Sequence, residues 1–152
     1  MKTMKIFMIG LFISSNSYAS SFKLVDSEIE EGDDDNPSYI HYTYKTNKPL
    51  KAKYFYGYDV DNDEYNLSIR FNNDDIKSTH IGSTRLMIDE QKYIKQLKVD
   101  EDPLDVHCFF TGDIMIEIDE VVLSKNSVTS SSYGIVFLRS LKELGTKTLL
   151  CN

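Results

Sequence analysis

The chain has 152 residues, 41% hydrophobic, 27% charged and 12% aromatic, with seven Gly, three Pro and a formal charge of −7 from 17 basic and 24 acidic side chains. Such proportions exclude collagen-like, coiled-coil, low-complexity and multi-span membrane classes, and the length suits one domain with a single core. Acidic surfaces repel phosphate backbones and anionic lipid, so nucleic acid and membrane surfaces are not expected partners.

The first nineteen residues read as a cleaved signal peptide. Lys2 and Lys5 precede the apolar run 6–13, and the polar stretch 14–19 places Ser17 and Ala19 before the expected cleavage point. The apolar run is far shorter than the ~20 residues that cross a bilayer, so no stable membrane anchor is expected. Cleavage leaves one β-rich exported domain over 20–152 and, by removing two lysines, a charge of −9 (15 basic against 24 acidic). The expected location is the periplasm or outside the cell. In an oxidising compartment the two cysteines, Cys108 and Cys151, are expected to form one disulfide.

Along the exported part the hydrophobic pattern is mostly period two. Residues 22–29 read as a strand, ended by the acidic loop 30–37. In 38–45, Ile40, Tyr42 and Tyr44 alternate with Tyr39, His41 and Thr43. After Asn47, Lys48 and Pro49, the segment 53–58 sets Tyr54, Tyr56 and Tyr58 on one side of a strand, and 59–64 is an acidic turn. Tyr65, Leu67, Ile69 and Phe71 then alternate with polar residues, and 85–88 begins another strand. Over 89–98 the period changes: Tyr93, Ile94 and Leu97 share a helical face, which predicts a short helix. Leu104, Val106, Cys108 and Phe110 alternate in a strand ended by Gly112. Ile114, Ile116 and Ile118 follow, and the shift of apolar parity to Val121 and Leu123 predicts a bulge near Glu120. Residues 124–132 read as a polar loop. Phe137, Leu138, Leu141 and Leu144 before Gly145 fit a second short helix.

These elements predict a mainly β fold: a small single-domain barrel or sandwich of six or seven strands with one or two short helices. Three strands, a helix and two strands from residue 50 to 124 is also the element order of an OB-like barrel.

Chemistry-bearing patterns are sparse. Asp59, Asp61 and Asp63 have the spacing that opens a calcium loop, but Glu64 stands where glycine is needed and Arg70 where a bidentate Glu is needed, so no metal or cofactor is expected. His41, His80 and His107 share no ligand spacing, and there is no G-x-S-x-G elbow or phosphate-cradling glycine loop. Seven of the ten tyrosines lie between residues 39 and 65. β-propensity and core filling explain most of this clustering; the candidate binding face is Tyr54, Tyr56 and Tyr58 with the acidic rim Asp59, Asp61, Asp63 and Glu64, because rings with polar tips anchor interfaces and charge steers encounter. The leading expectation is a non-enzymatic exported binding protein engaging another, plausibly basic, protein through that face; an immunity or inhibitor protein against a secreted toxin is one form of it. Two others stand beside it: a small-ligand or carbohydrate-binding module, which needs a concave aromatic pocket, and a hydrolase using acidic residues.

Overall fold

The computed structural model describes residues 20–33, 36–100 and 105–151. The expected signal peptide lies outside the described residues. Seven strands and one helix follow in the order β1 (Phe22–Glu30), β2 (Tyr39–Thr46), β3 (Leu50–Asp59), β4 (Glu64–Phe71), β5 (Leu86–Met87), α1 (Gln91–Leu97), β6 (Cys108–Asn126) and β7 (Ser132–Cys151). The fold is mainly β, as expected.

All seven strands form one sheet in the order β1-β2-β6-β3-β4-β5-β7, and β7 returns to pair with β6. That return closes the circuit β3-β4-β5-β7-β6 into a barrel. The β5–β7 step is parallel and the others are antiparallel. With α1 between β5 and β6, this is the pairing order of an OB-type barrel, whose last two strands are β6 and β7 rather than two strands before residue 124. Strands β2 and β3 run end to end along one edge of β6, facing residues 121–126 and 109–116 respectively. Pro49, which lacks an amide donor, lies in the break between them. β1 pairs only with β2 and is an edge, bulged at Val25.

The core fills the barrel. Ile69, Leu86, Ile114, Ile116, Val121 and Leu123 are all at most 1% exposed. The helix closes one end by burying Tyr93, Ile94 and Leu97. The Tyr93 hydroxyl donates to the Leu138 carbonyl at 2.9 Å. Lys147 donates to the carbonyls of Leu97 and Lys98, placing a cation on the helix C-terminus.

The parity shift near Glu120 is a bulge: Ile118 faces Leu138, Glu120 faces Phe137, and Asp119 is the extra residue. Opposite it Arg139 is extra as well, and its guanidinium donates to Asp119 at 2.6 and 3.0 Å. The expected second helix is corrected to the middle of β7. The bulge at Arg139 lets Leu138 and Leu141, three apart, both face the core, which mimics helical spacing.

Candidate functional site

Side chains alternate along a strand, so Leu50, Ala52, Tyr54 and Tyr56 share one face of β3. That face is the barrel interior. Tyr54 is 0% exposed and Tyr56 9%, which corrects the expectation of an exposed strip formed by Tyr54, Tyr56 and Tyr58. Period-two patterning shows which residues share a face but not which face is wet. The Tyr54 hydroxyl donates to Glu143 Oε1 at 3.1 Å. Burial, then the adjacent Glu143 charge, pushes its pKa well above the usual phenol range. Gly112 lies opposite Tyr54, and a Cβ there would sit 2.8 Å from the ring. The missing side chain is what lets the phenol fit.

Tyr58, at the end of the strand, is half-buried; it meets the Tyr65 ring at 5.3 Å and donates to Asp63. That hydrogen bond is the main reason its pKa is raised. The turn beyond is held by Asp59, whose carboxylate accepts from the Asp61 amide, Asn62 and Asn66 at 3.0–3.1 Å. Desolvation works to raise the Asp59 pKa, but these donors together outweigh it and leave the group below its ordinary value. Asp61, Asp63 and Glu64 are exposed. The structure thus brings Tyr58 and the four acids together on one hairpin and places Tyr54 and Tyr56 in the core. Among the described residues no group of three or more His, Cys, Asp or Glu could hold a metal ion.

The opposite face of β3 forms the floor of a cleft of about 890 Å³. Phe55 and Gly57 from β3, Asn66 and Ser68 from β4, and Met87 from β5 line it. One wall is the β3–β4 turn and another is Ser130–Ser132 with Tyr133 at the start of β7; Arg85 and Phe109 also line it. A second hollow of about 520 Å³ shares Asn62, Asn66, Met87 and Tyr133 and runs toward α1. Gly57 keeps the floor low, since a Cβ there would meet the Phe109 Cβ at 2.8 Å. The Phe55 ring lies 6.1 Å from Phe109, and the guanidiniums of Arg85 and Arg70 approach it at 4.8 and 5.9 Å. Cation–π contact holds both cations without using their N–H donors.

Sequence reasoning missed this cleft. Phe55 was hidden between two tyrosines of a more visible pattern, and the other residues come from separate elements that meet only when the barrel closes. The one local signal was Lys53, Phe55 and Gly57 alternating with the tyrosines.

Two other features complete the inventory. Cys108 and Cys151 face each other in the β6–β7 ladder and are bonded. His41 joins Ser124 Oγ through Nδ1 at 2.8 Å and Glu30 through Nε2 at 2.9 Å. The order Ser, His, Glu is that of a hydrolytic relay, but Ser124 is 4% exposed on a strand flanked by β2 and β7. Its evident role is to tie three strands together.

Comparison with protein-family models, curated proteins and solved structures finds no match.

Proposed function

We propose that this protein is an exported, non-enzymatic binding module that holds its ligand in the cleft outside β3, β4 and β5. The observation that carries the reading is the lining: aromatic rings, a guanidinium, and hydroxyl and carboxamide groups converge in one concavity, a predominantly polar surface suited to a hydroxyl-rich ligand. OB barrels bind oligosaccharides and oligonucleotides on the face of their second and third strands, between the first and last hairpin loops. Here those strands are β4 and β5 and those loops are 60–63 and 127–131. Topology alone assigns no ligand, so the argument rests on the side chains. Export is supported by the disulfide, which fits an extracellular or periplasmic protein, and by the expected signal over residues 1–19. Among the described residues no helix is long and apolar enough to cross a membrane.

A second reading retains a basic protein partner, including the immunity or inhibitor form. It is favoured by the exposed carboxylates of Asp61, Asp63 and Glu64, now without Tyr54 and Tyr56 as anchors.

The test is a small-molecule fragment set titrated into the disulfide-bonded protein while backbone amide shifts are followed. Shifts clustering on Gly57, Ser68, Arg85 and Phe109 support the cleft, and a set that binds only elsewhere overturns it.

A further inference from the structure

We infer that the cleft takes a saccharide carrying an isolated carboxylate, with the acid group at the Arg85 end and the neutral hydroxyls toward the β3–β4 turn. The inference rests on the cleft being the binding site and adds the chemistry of its occupant.

Three observations lead to it. The chain has three arginines and more acids than bases. Arg139 is paired with Asp119, whereas among the described residues neither the Arg70 nor the Arg85 side chain forms a hydrogen bond or ion pair, and both lie against Phe55. Arg85 lines the cleft and, on a protein with a surplus of carboxylates, presents an unpaired planar donor fork to an incoming anion, with Arg70 beside the same ring but outside the lining. Lys53 stands between Arg70 on β4 and Asp113 on β6 in the sheet, so its charge already has an acidic cross-strand neighbour, and the weight of the inference falls on the arginines.

The second observation is polarity along the cleft. On the outer face of β3, Lys53, Phe55, Gly57 and Asp59 follow one another, so the surface runs from basic to acidic. Asp59 and Asp61 line the far end. A ligand charged along its whole length, such as a nucleic acid strand, meets repulsion there, while one with a single acid group does not.

The third is the wall. Ser68, Ser83, Thr84, Ser130, Ser131 and Ser132 line the cleft; Thr84 and Ser132 bond each other at 2.6 Å and Ser131 bonds Thr129 at 2.8 Å, so these three hydroxyls are already oriented by protein partners. Hydroxyls that both donate and accept match sugar hydroxyls, and the Phe109 and Tyr58 rings offer apolar faces for a pyranose.

The experiment uses sialyllactose against lactose, and hyaluronan disaccharide, which carries one carboxylate, against its carboxyl-reduced form, titrated into the disulfide-bonded protein by calorimetry and amide shift mapping. At least one acidic probe should shift Phe55, Ser68 and Arg85 and bind about ten- to hundredfold more tightly than its neutral counterpart, the value of one hydrogen bond to a charged group. Arg85→Gln should remove most of that preference at unchanged Tm, Arg85→Lys should keep part of it, and added salt should weaken only the acidic probe. Equal binding of neutral and acidic probes at the cleft overturns the carboxylate inference and leaves the binding site standing. A thymidine oligonucleotide that outcompetes both overturns it in favour of nucleic acid. If none of these probes shifts a cleft residue the inference fails, and the binding site itself falls only if the fragment set misses the cleft as well.

Discussion

The two faces of β3 differ in how their polar atoms are treated. Inside, Tyr54 donates its hydroxyl to Glu143, and the Tyr44 hydroxyl from β2 accepts the His80 amide at 2.9 Å. From the helix, the Tyr93 hydroxyl donates to the Leu138 carbonyl. Among the described residues the single buried side-chain oxygen without a partner is Glu90 Oε2, far from β3 in sequence. Outside, Phe55 holds two guanidiniums that make no hydrogen bond or ion pair among the described residues. An unpaired donor is destabilising in a core and inexpensive in a wet cleft, so the difference separates what the fold needs from what a ligand can complete.

That contrast is broken most forcefully by large truncations on each face. Tyr54→Ala should lower stability by about 3–5 kcal/mol, since it empties a fully buried ring site, and Phe55→Ala by about 1–2 kcal/mol because its ring is only half-buried. Urea unfolding of both variants measures this, and equal losses would erase the distinction between the faces. Reducing the disulfide, or making Cys108→Ser with Cys151→Ser, should cost up to about 4 kcal/mol in the chain-entropy account, for a bridge between residues 43 apart. A smaller effect is expected of Gly57→Ala, whose methyl group must displace Phe109 and so raise the cleft floor. It should destabilise by roughly 1–3 kcal/mol and weaken any cleft ligand beyond what Tm alone accounts for.

Alkaline pH sharpens the comparison further. The folded-state pKa of Tyr54 is raised, as are those of Tyr44 and Tyr56, in each case chiefly by burial. A raised pKa means the folded state holds its proton more tightly, so this stability is complete below the ordinary tyrosine pKa of about 10 and is lost as pH rises above it. Tyr54→Phe should make that alkaline decline shallower, read from Tm against pH, whereas Phe55→Leu should leave its slope unchanged. The smallest effect is expected at the turn. Asp59 has a lowered pKa, so its contribution is present above about pH 4 and fades as pH falls. Hydrogen exchange at the Asp61 amide should quicken in Asp59→Ala with the barrel amides unaffected.

Much of the barrel was legible in the sequence and the cleft was not. The helix expected over 89–98 is found at Gln91–Leu97, since Tyr93, Ile94 and Leu97 have no other way to bury together. The bulge near Glu120 followed from one change of parity, and the disulfide from two cysteines in an oxidising setting. The helix expected around Leu138, Leu141 and Leu144 failed because a bulge at Arg139 produces the same three-residue interval within a strand. Alternation carries no sign, so Tyr54 and Tyr56 stand open to a core or a binding-face reading, and only the closed circuit through β7 fixes which side of β3 is inside. Arg85 and Ser130 stand 45 residues apart in the sequence, and no local pattern can announce that they line one hollow.

The most direct test of the account is where a bound ligand perturbs the molecule. Amide shifts on titration with an acidic saccharide or a cleft-binding fragment should concentrate on Gly57, Ser68, Arg85 and Phe109 and reach Asp61, which lines the cleft at the β3–β4 turn, with Asp63 little changed. Shifts confined to Asp61, Asp63 and Glu64, with Ser68 and Arg85 silent, would contradict it and return the function to the acidic hairpin.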